Sequence, residues 1–111
     1  MTQKEQEIAI AKALSPDLKL CPIHHSYSCC NRKSLNYTSD LNAMMEPCKL
    51  LASKGWRCEA NMETDGTWEC FFTKPDTNIT SGRADATHYG AGDTLALALA
   101  EAFLKTLGLW K

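Results

Sequence analysis

The clearest pattern of hydrophobic and polar positions lies within 57–73, where two runs of alternating residues flank a turn. An alternation with a period of two is typical of β-strands that bury one face. The apolar positions are Cys58, Ala60 and Met62 before the turn, and Trp68, Cys70 and Phe72 after it. The pattern predicts an antiparallel hairpin.

The register of this hairpin follows because directly opposed residues share one face of a sheet. A two-residue turn would place Met62 opposite Glu69 and would mix apolar with acidic side chains. A three-residue loop over 64–66 pairs Met62 with Trp68 and places Gly66 where a positive φ is needed. We therefore predict the longer loop, with the apolar positions of both strands facing inward.

The polar face of the hairpin is acidic around one aromatic residue. Such a face is ordinarily solvated, but an aromatic anchor among carboxylates is also typical of a docking surface for a basic partner. The candidate partner-binding residues on this face are Glu59, Glu63, Glu69 and Phe71.

Two helices are predicted in the first half of the chain. The first spans 3–14, because Thr2 and Glu5 form a capping box before it and a proline follows it. The second starts at Leu41, where apolar residues recur at helical spacing, and Gly55 is placed for its C-terminal cap. We expect its apolar stripe to face the core.

A third strand is predicted over 83–89 and is expected to end at Gly90. A third helix follows Asp93, its expected N-cap. Leu97 and Leu104 point away from the main apolar face of this helix, so either a second layer covers them or they form a partner-binding ridge. Both residues are therefore candidate binding residues as well.

Length and composition predict a single domain over 1–111. The chain is 44% hydrophobic and 23% charged, which is typical of a folded soluble protein with one core. Its 12 basic and 13 acidic residues are mixed along the chain, whereas binding to a phosphate backbone needs clustered Lys and Arg. We predict an α+β fold, a small antiparallel sheet centred on the hairpin with helices packed on both faces, and we do not expect nucleic acid as a partner.

The chain offers no candidate membrane span. Its longest apolar run, 95–100, is far shorter than the roughly 18 residues that cross a bilayer. Six cysteines and the sequons at Asn36 and Asn78 are features of secreted proteins, but no apolar signal core precedes them. We therefore expect reduced cysteines and a protein that stays in the cytoplasm.

A stretch rich in cysteine and histidine, 21–37, lacks helical or strand period and is predicted to be a long loop. Four of its residues have the chemistry that zinc prefers, namely Cys21, His24, Cys29 and Cys30. The second pair follows the first more closely than in usual structural zinc sites, so a polar loop with reduced thiols is favoured. No oxyanion-forming glycine turn adjoins these cysteines, and we predict that the chain is not an enzyme.

Several segments, in this order, resemble the phage ABA-sandwich domain, a group of small bacteriophage proteins. They are Ala11-Lys12-Ala13-Leu14, Tyr37-Thr38-Ser39-Asp40-Leu41, Trp68-Glu69-Cys70 and Ala100-Glu101-Ala102-Phe103-Leu104-Lys105-Thr106-Leu107-Gly108. The resemblance implies a sheet with helices on both faces and a phage or prophage protein that works in the bacterial cytoplasm. It transfers no catalytic residue, and the Cys/His loop departs from the aromatic segment expected there.

The leading hypothesis is a non-enzymatic phage accessory protein without a cofactor. It would bind a bacterial host or anti-phage defence protein, with inhibition as one outcome, and a homodimer stays open. The alternative is a small zinc-binding module that uses the loop 21–30.

Overall fold

The computed structural model describes residues 1–15, 36–75 and 84–110. Along the chain they form α1 (Gln3–Leu14), α2 (Leu41–Ser53), β1 (Arg57–Met62), β2 (Trp68–Pro75), β3 (Ala84–Gly92) and α3 (Leu95–Thr106). The strands form one antiparallel sheet in the order β1-β2-β3. Helices contact the sheet on both sides. Helix α2 contacts β1, and α3 packs against β2 and β3. The predicted α+β class is confirmed.

The hairpin register is confirmed as well. Met62 pairs with Trp68, and the same register continues through the rest of both strands. The Glu63 backbone N–H donates to the Thr67 carbonyl at 2.8 Å, and the Gly66 N–H donates to the Glu63 carbonyl at 3.0 Å. Gly66 has a φ of +90°, a conformation that favours glycine, and it closes the three-residue loop as expected.

Local hydrogen bonds explain where the first two helices begin. The Glu5 N–H donates to Thr2 Oγ1 at 3.1 Å and completes the predicted capping box of α1. Asp40 is the N-cap of α2, since its carboxylate accepts from the Asn42 N–H at 2.9 Å. The Thr38 hydroxyl donates to Glu7 at 2.6 Å and so connects α1 to the turn before α2.

The apolar stripe of α2 is only partly buried. Met44, Cys48 and Leu51 face the core, whereas Leu41 and Met45 are 40% and 41% exposed. The expectation that the whole stripe faces a core is therefore corrected, because the part of α2 on which Leu41 and Met45 lie is not covered.

Strand β3 continues through Gly90 to Gly92, where the sequence pattern predicts a break. A side chain at Gly90 would overlap the backbone of α3 at Ala98 and Ala102. Glycine is needed here for close contact between helix and sheet, not to end the strand. The N-cap of α3 is Thr94, one residue after the expected Asp93, and its hydroxyl accepts from the Leu97 N–H at 3.2 Å.

Helix α3 lies at the centre of the core. It packs against β2 and β3 and also contacts α1 and α2, so it is buried on several sides. The largest fully buried side chains include Phe72, Phe103, Ile10, Met44, Leu51 and Leu104.

Strand β1 is exposed along its whole length, which corrects the expectation that its apolar side chains turn into the core. Cys58, Ala60 and Met62 do share a face with the buried Cys70 and Phe72, as the register requires. However, α3 packs against β2 and β3, whereas β1 has only a small contact with α2.

Candidate functional site

The face of the sheet opposite Cys70 and Phe72 carries the predicted docking residues. In the register, Glu59 lies opposite Phe71, and Phe71 lies opposite Tyr89 on β3. One row of side chains therefore crosses all three strands. We call the surface formed by Glu59, Glu63, Glu69, Phe71 and Tyr89 the outer face.

An aromatic pair lies at the centre of the outer face. The Phe71 and Tyr89 rings are 5.2 Å apart between centroids and are inclined at 48°. Phe71 is half-buried, and Tyr89 is 38% exposed. A tilted pair of this kind stabilises both rings while it leaves part of their surface accessible to a partner.

Tyr89 is the site residue that the sequence patterns missed. Its hydroxyl donates to Glu69 Oε1 at 3.1 Å, which fixes both side chains. Partial burial, this hydrogen bond and the charges of Glu69, Glu101 and Glu63 raise the pKa of the Tyr89 phenol. Tyr89 already lies within the predicted third strand, and a register between that strand and the hairpin would have placed it beside Phe71.

Two carboxylates of the outer face interact directly. A hydrogen bond with Glu69 and the repulsion between the two charges raise the pKa of the Glu63 carboxyl, with smaller effects of desolvation and Asp65. Glu63 and Glu59 are both exposed and give this face negative charge.

A cation borders the outer face at β3. The Lys105 ammonium lies 5.7 Å from the centre of the Tyr89 ring and 5.8 Å from that of Trp110. It also lies 3.8 Å from the Glu101 carboxylate, which in turn accepts from the Ala91 backbone N–H at 2.6 Å. Glu101 and Lys105 of α3 thus hold the edge of β3 in place.

The predicted ridge of Leu97 and Leu104 is not an exposed surface, and this prediction is corrected. Leu104 is fully buried, because α3 has neighbours on several sides, as the second-layer alternative requires. Leu97 is half-buried and lies against Gly92 of β3. Both side chains contribute to packing.

The predicted zinc ligands Cys21, His24, Cys29 and Cys30 lie outside the described residues, so zinc binding stays a prediction. Within 1–15, 36–75 and 84–110, no group of three or more potential ligands could hold a metal ion.

The three described cysteines are free thiols, and two of them are buried. Burial is the main cause that raises the pKa of Cys48 and of Cys70 to about 12, and a smaller contribution comes from nearby thiols. Although Cys58 lies on an exposed strand, partial desolvation of its thiol raises its pKa, and the charge of Glu59 adds to the effect. Because the thiolate is the nucleophile and the metal ligand, these cysteines are poorly suited to either chemistry.

A groove of about 520 Å³ runs along α1. Its lining residues are Met1, Glu5, Ile8, Ala9, Lys12, Ala13 and Leu109. Glu5 is engaged in the capping box of α1, and the remaining lining is mostly apolar. The groove therefore lacks the several converging polar groups that orient a small-molecule substrate.

Comparisons with protein-family models, curated proteins and solved structures found no match to this chain. None of the helices that the structure describes is both long and apolar enough to cross a membrane.

Proposed function

We propose that this chain is a non-enzymatic bacteriophage accessory protein that binds a bacterial host or anti-phage defence protein and inhibits it. The observation that carries the binding function is the Phe71–Tyr89 pair, half accessible and bordered by the carboxylates of Glu59, Glu63 and Glu69. The phage origin and the location in the bacterial cytoplasm rest on the resemblance in sequence.

The chemistry of the outer face favours a basic partner. Aromatic residues held in place by neighbours are frequent hot spots, since they bury a large area with little loss of conformational freedom. An arginine of the partner could stack on Tyr89 and pair with Glu69 or Glu59. The exposed carboxylates would accelerate association through electrostatic steering.

The Glu63–Glu69 pair adds a dependence on pH. The hydrogen bond with Glu69 and the repulsion between the two charges raise the pKa of Glu63 in the free protein, whereas a guanidinium placed between the two carboxylates would lower it. Binding of a basic partner therefore releases protons when Glu63 is partly protonated, and affinity falls as the pH is lowered into the carboxyl range.

The test is capture of bacterial proteins on the immobilised full chain, followed by binding and activity measurements on the purified partner. Phe71→Ser should weaken binding roughly tenfold or more, and Glu59→Lys should slow association and reduce its dependence on salt. Glu46→Lys is the matched control, because this exposed acidic residue lies on α2, away from the outer face.

Circular dichroism of each variant checks that it is folded, so that a loss of binding can be separated from a loss of structure. A captured protein that binds Phe71→Ser and the wild type equally would contradict the proposal, as would the absence of any specific partner. A partner whose activity is unchanged in the complex would contradict the inhibitory part alone.

A further inference from the structure

We propose that the free edge of β1 pairs with β1 of a second copy of this chain, so that two sheets join into one antiparallel sheet around a two-fold axis. This inference goes beyond the proposed function and does not depend on it. It rests on the backbone direction, exposure and charge order of β1.

The hydrogen-bonding direction of β1 follows from the hairpin. Glu63 and Thr67 form a hydrogen-bonded pair, and in antiparallel strands such pairs alternate with pairs whose backbone groups point away. The backbone groups of Asn61 and Glu59 therefore point to β2, whereas those of Met62, Ala60 and Cys58 point to the free edge. In the described part of the chain, no strand pairs with that edge.

Strand β1 lacks most of the devices that usually protect an edge strand. Such strands carry proline, charged residues, lysine above all, or a bulge that prevents pairing with another chain. The sequence Arg-Cys-Glu-Ala-Asn-Met contains neither proline nor lysine, its pairing with β2 is regular, and its two charged residues are opposite in sign. All six residues are exposed, with Met62 at 63%.

The order of charges and the length of the strand together favour one register for two antiparallel copies. With Ala60 opposite Ala60 of the second copy, Arg57 lies opposite Glu63 on each side of the axis, an attractive arrangement. A register centred on Glu59 would place Glu59 opposite itself, and one centred on Asn61 would place Glu59 opposite Glu63. Both of these alternatives oppose like charges. A register centred on Cys58 places Arg57 opposite Glu59, also an attractive pair, but it pairs only 57–59 of each strand.

The side chains and the backbone both fit the favoured register. Cys58 of one copy lies opposite Met62 of the other, and the small Ala60 lies at the axis. The residues that face each other are those whose backbone groups point outward, so each such pair can exchange two hydrogen bonds. The joined sheet also places the two outer faces side by side, since the axis is perpendicular to the sheet.

Sedimentation equilibrium of the purified full chain under reducing conditions tests the proposal. The expected species is a dimer, with twice the 12.3 kDa mass of the chain. Ala60→Pro should give a monomer of unchanged fold, because the missing N–H points to the free edge and not to β2. A wild type that stays monomeric at high protein concentration, or a dimer that Ala60→Pro leaves intact, would overturn the pairing.

The register has a separate test that does not require proline to be tolerated. Arg57→Glu alone and Glu63→Arg alone should each weaken the dimer roughly tenfold, since each opposes like charges twice. A mixture of the two variants should form a heterodimer of wild-type affinity, because every opposed pair again carries opposite charges. If mixing restores nothing, the register is wrong.

Discussion

The two edge strands of the sheet, β1 and β3, differ in how far a helix covers them. At β3, Gly90 lies against the backbone of α3, and the Glu101 carboxylate accepts the N–H of Ala91 at 2.6 Å. At β1, every residue is exposed, and the described residues leave the backbone groups of the free edge without a strand to pair with. Helix α3 protects the edge at β3, whereas β1 has only a small contact with α2 and stays exposed.

The face on which a side chain lies and the burial of that side chain are separate properties, and alternation alone does not distinguish them. Cys58 and Cys70 occupy the same face of paired strands, yet Cys58 is exposed and Cys70 is fully buried. Alternation determines the face of a strand on which a side chain lies. Burial depends on whether a helix covers that part of the face.

The largest difference is expected when side chains are truncated on the face of the sheet that carries Cys70 and Phe72. Helix α3 packs on this face at β2, whereas β1 stays exposed. Phe72→Ala should lower the free energy of unfolding by about 4 kcal/mol, because it leaves a cavity in the core. Met62→Ala, on the same face of β1, should change it by no more than about 0.5 kcal/mol. Urea denaturation at equal protein concentration measures both. A large loss for Met62→Ala would mean that β1 is covered.

A smaller difference is expected when a side chain is enlarged. Gly90→Ala should cost at least about 2 kcal/mol, since the new Cβ would overlap the backbone nitrogen of Ala102 and the carbonyl oxygen of Ala98. Ala60→Val adds volume on the exposed strand, and below the concentration of dimer formation it should be nearly neutral. If both variants unfold at the wild-type denaturant concentration, α3 does not pack closely on β3.

The hydrogen bond from Ala91 to Glu101 should contribute less than either packing effect. Glu101→Ala removes the acceptor and should lower stability by about 1 kcal/mol while it accelerates hydrogen exchange at the Ala91 amide. Lys105→Met breaks the ion pair with Glu101 but leaves the acceptor, so the exchange rate of Ala91 should change little. Equal acceleration in both variants would show that the ion pair, and not the acceptor, protects this edge.

The hairpin could be predicted from the sequence because its constraints are local. The alternation, the glycine of the turn and the requirement for one chemistry on each face together determine how Met62 and Trp68 pair. The same reasoning placed Glu59, Glu63, Glu69 and Phe71 on one surface. It omitted Tyr89, which lies in the predicted third strand, because no local pattern gives the register between that strand and the hairpin.

Features that depend on packing between distant segments could not be predicted. Gly90 is required by the approach of α3, which no local pattern reveals. Leu104 could equally have been a ridge or a core residue until the neighbours of α3 were known. The exposure of β1 likewise follows from where α3 lies, and not from the composition of the strand.

The smallest effect concerns ionisation next to the turn of the hairpin. Glu69 raises the pKa of Glu63 in the folded chain, whereas the unfolded chain has the ordinary value. The folded state therefore binds this proton more tightly than the unfolded state. The stability that Glu63 contributes is fully present below the ordinary pKa, and it is lost as the pH rises through the raised pKa of the folded chain. Glu69→Gln should move the pKa of Glu63 back toward its ordinary value, as measured by NMR titration of the side-chain carboxyl.

Asp65 in the neighbouring turn provides the opposite case. Hydrogen bonds from the Thr67 hydroxyl and backbone N–H lower the pKa of Asp65, so its contribution is present above the ordinary pKa and is lost as the pH falls through the lowered one. Thr67→Val should raise the pKa of Asp65 and leave that of Glu63 nearly unchanged. Glu69→Gln should lower the pKa of Glu63 and leave that of Asp65 nearly unchanged. If each variant shifted the pKa of both residues equally, the two carboxyls would titrate as one network and not in response to separate neighbours.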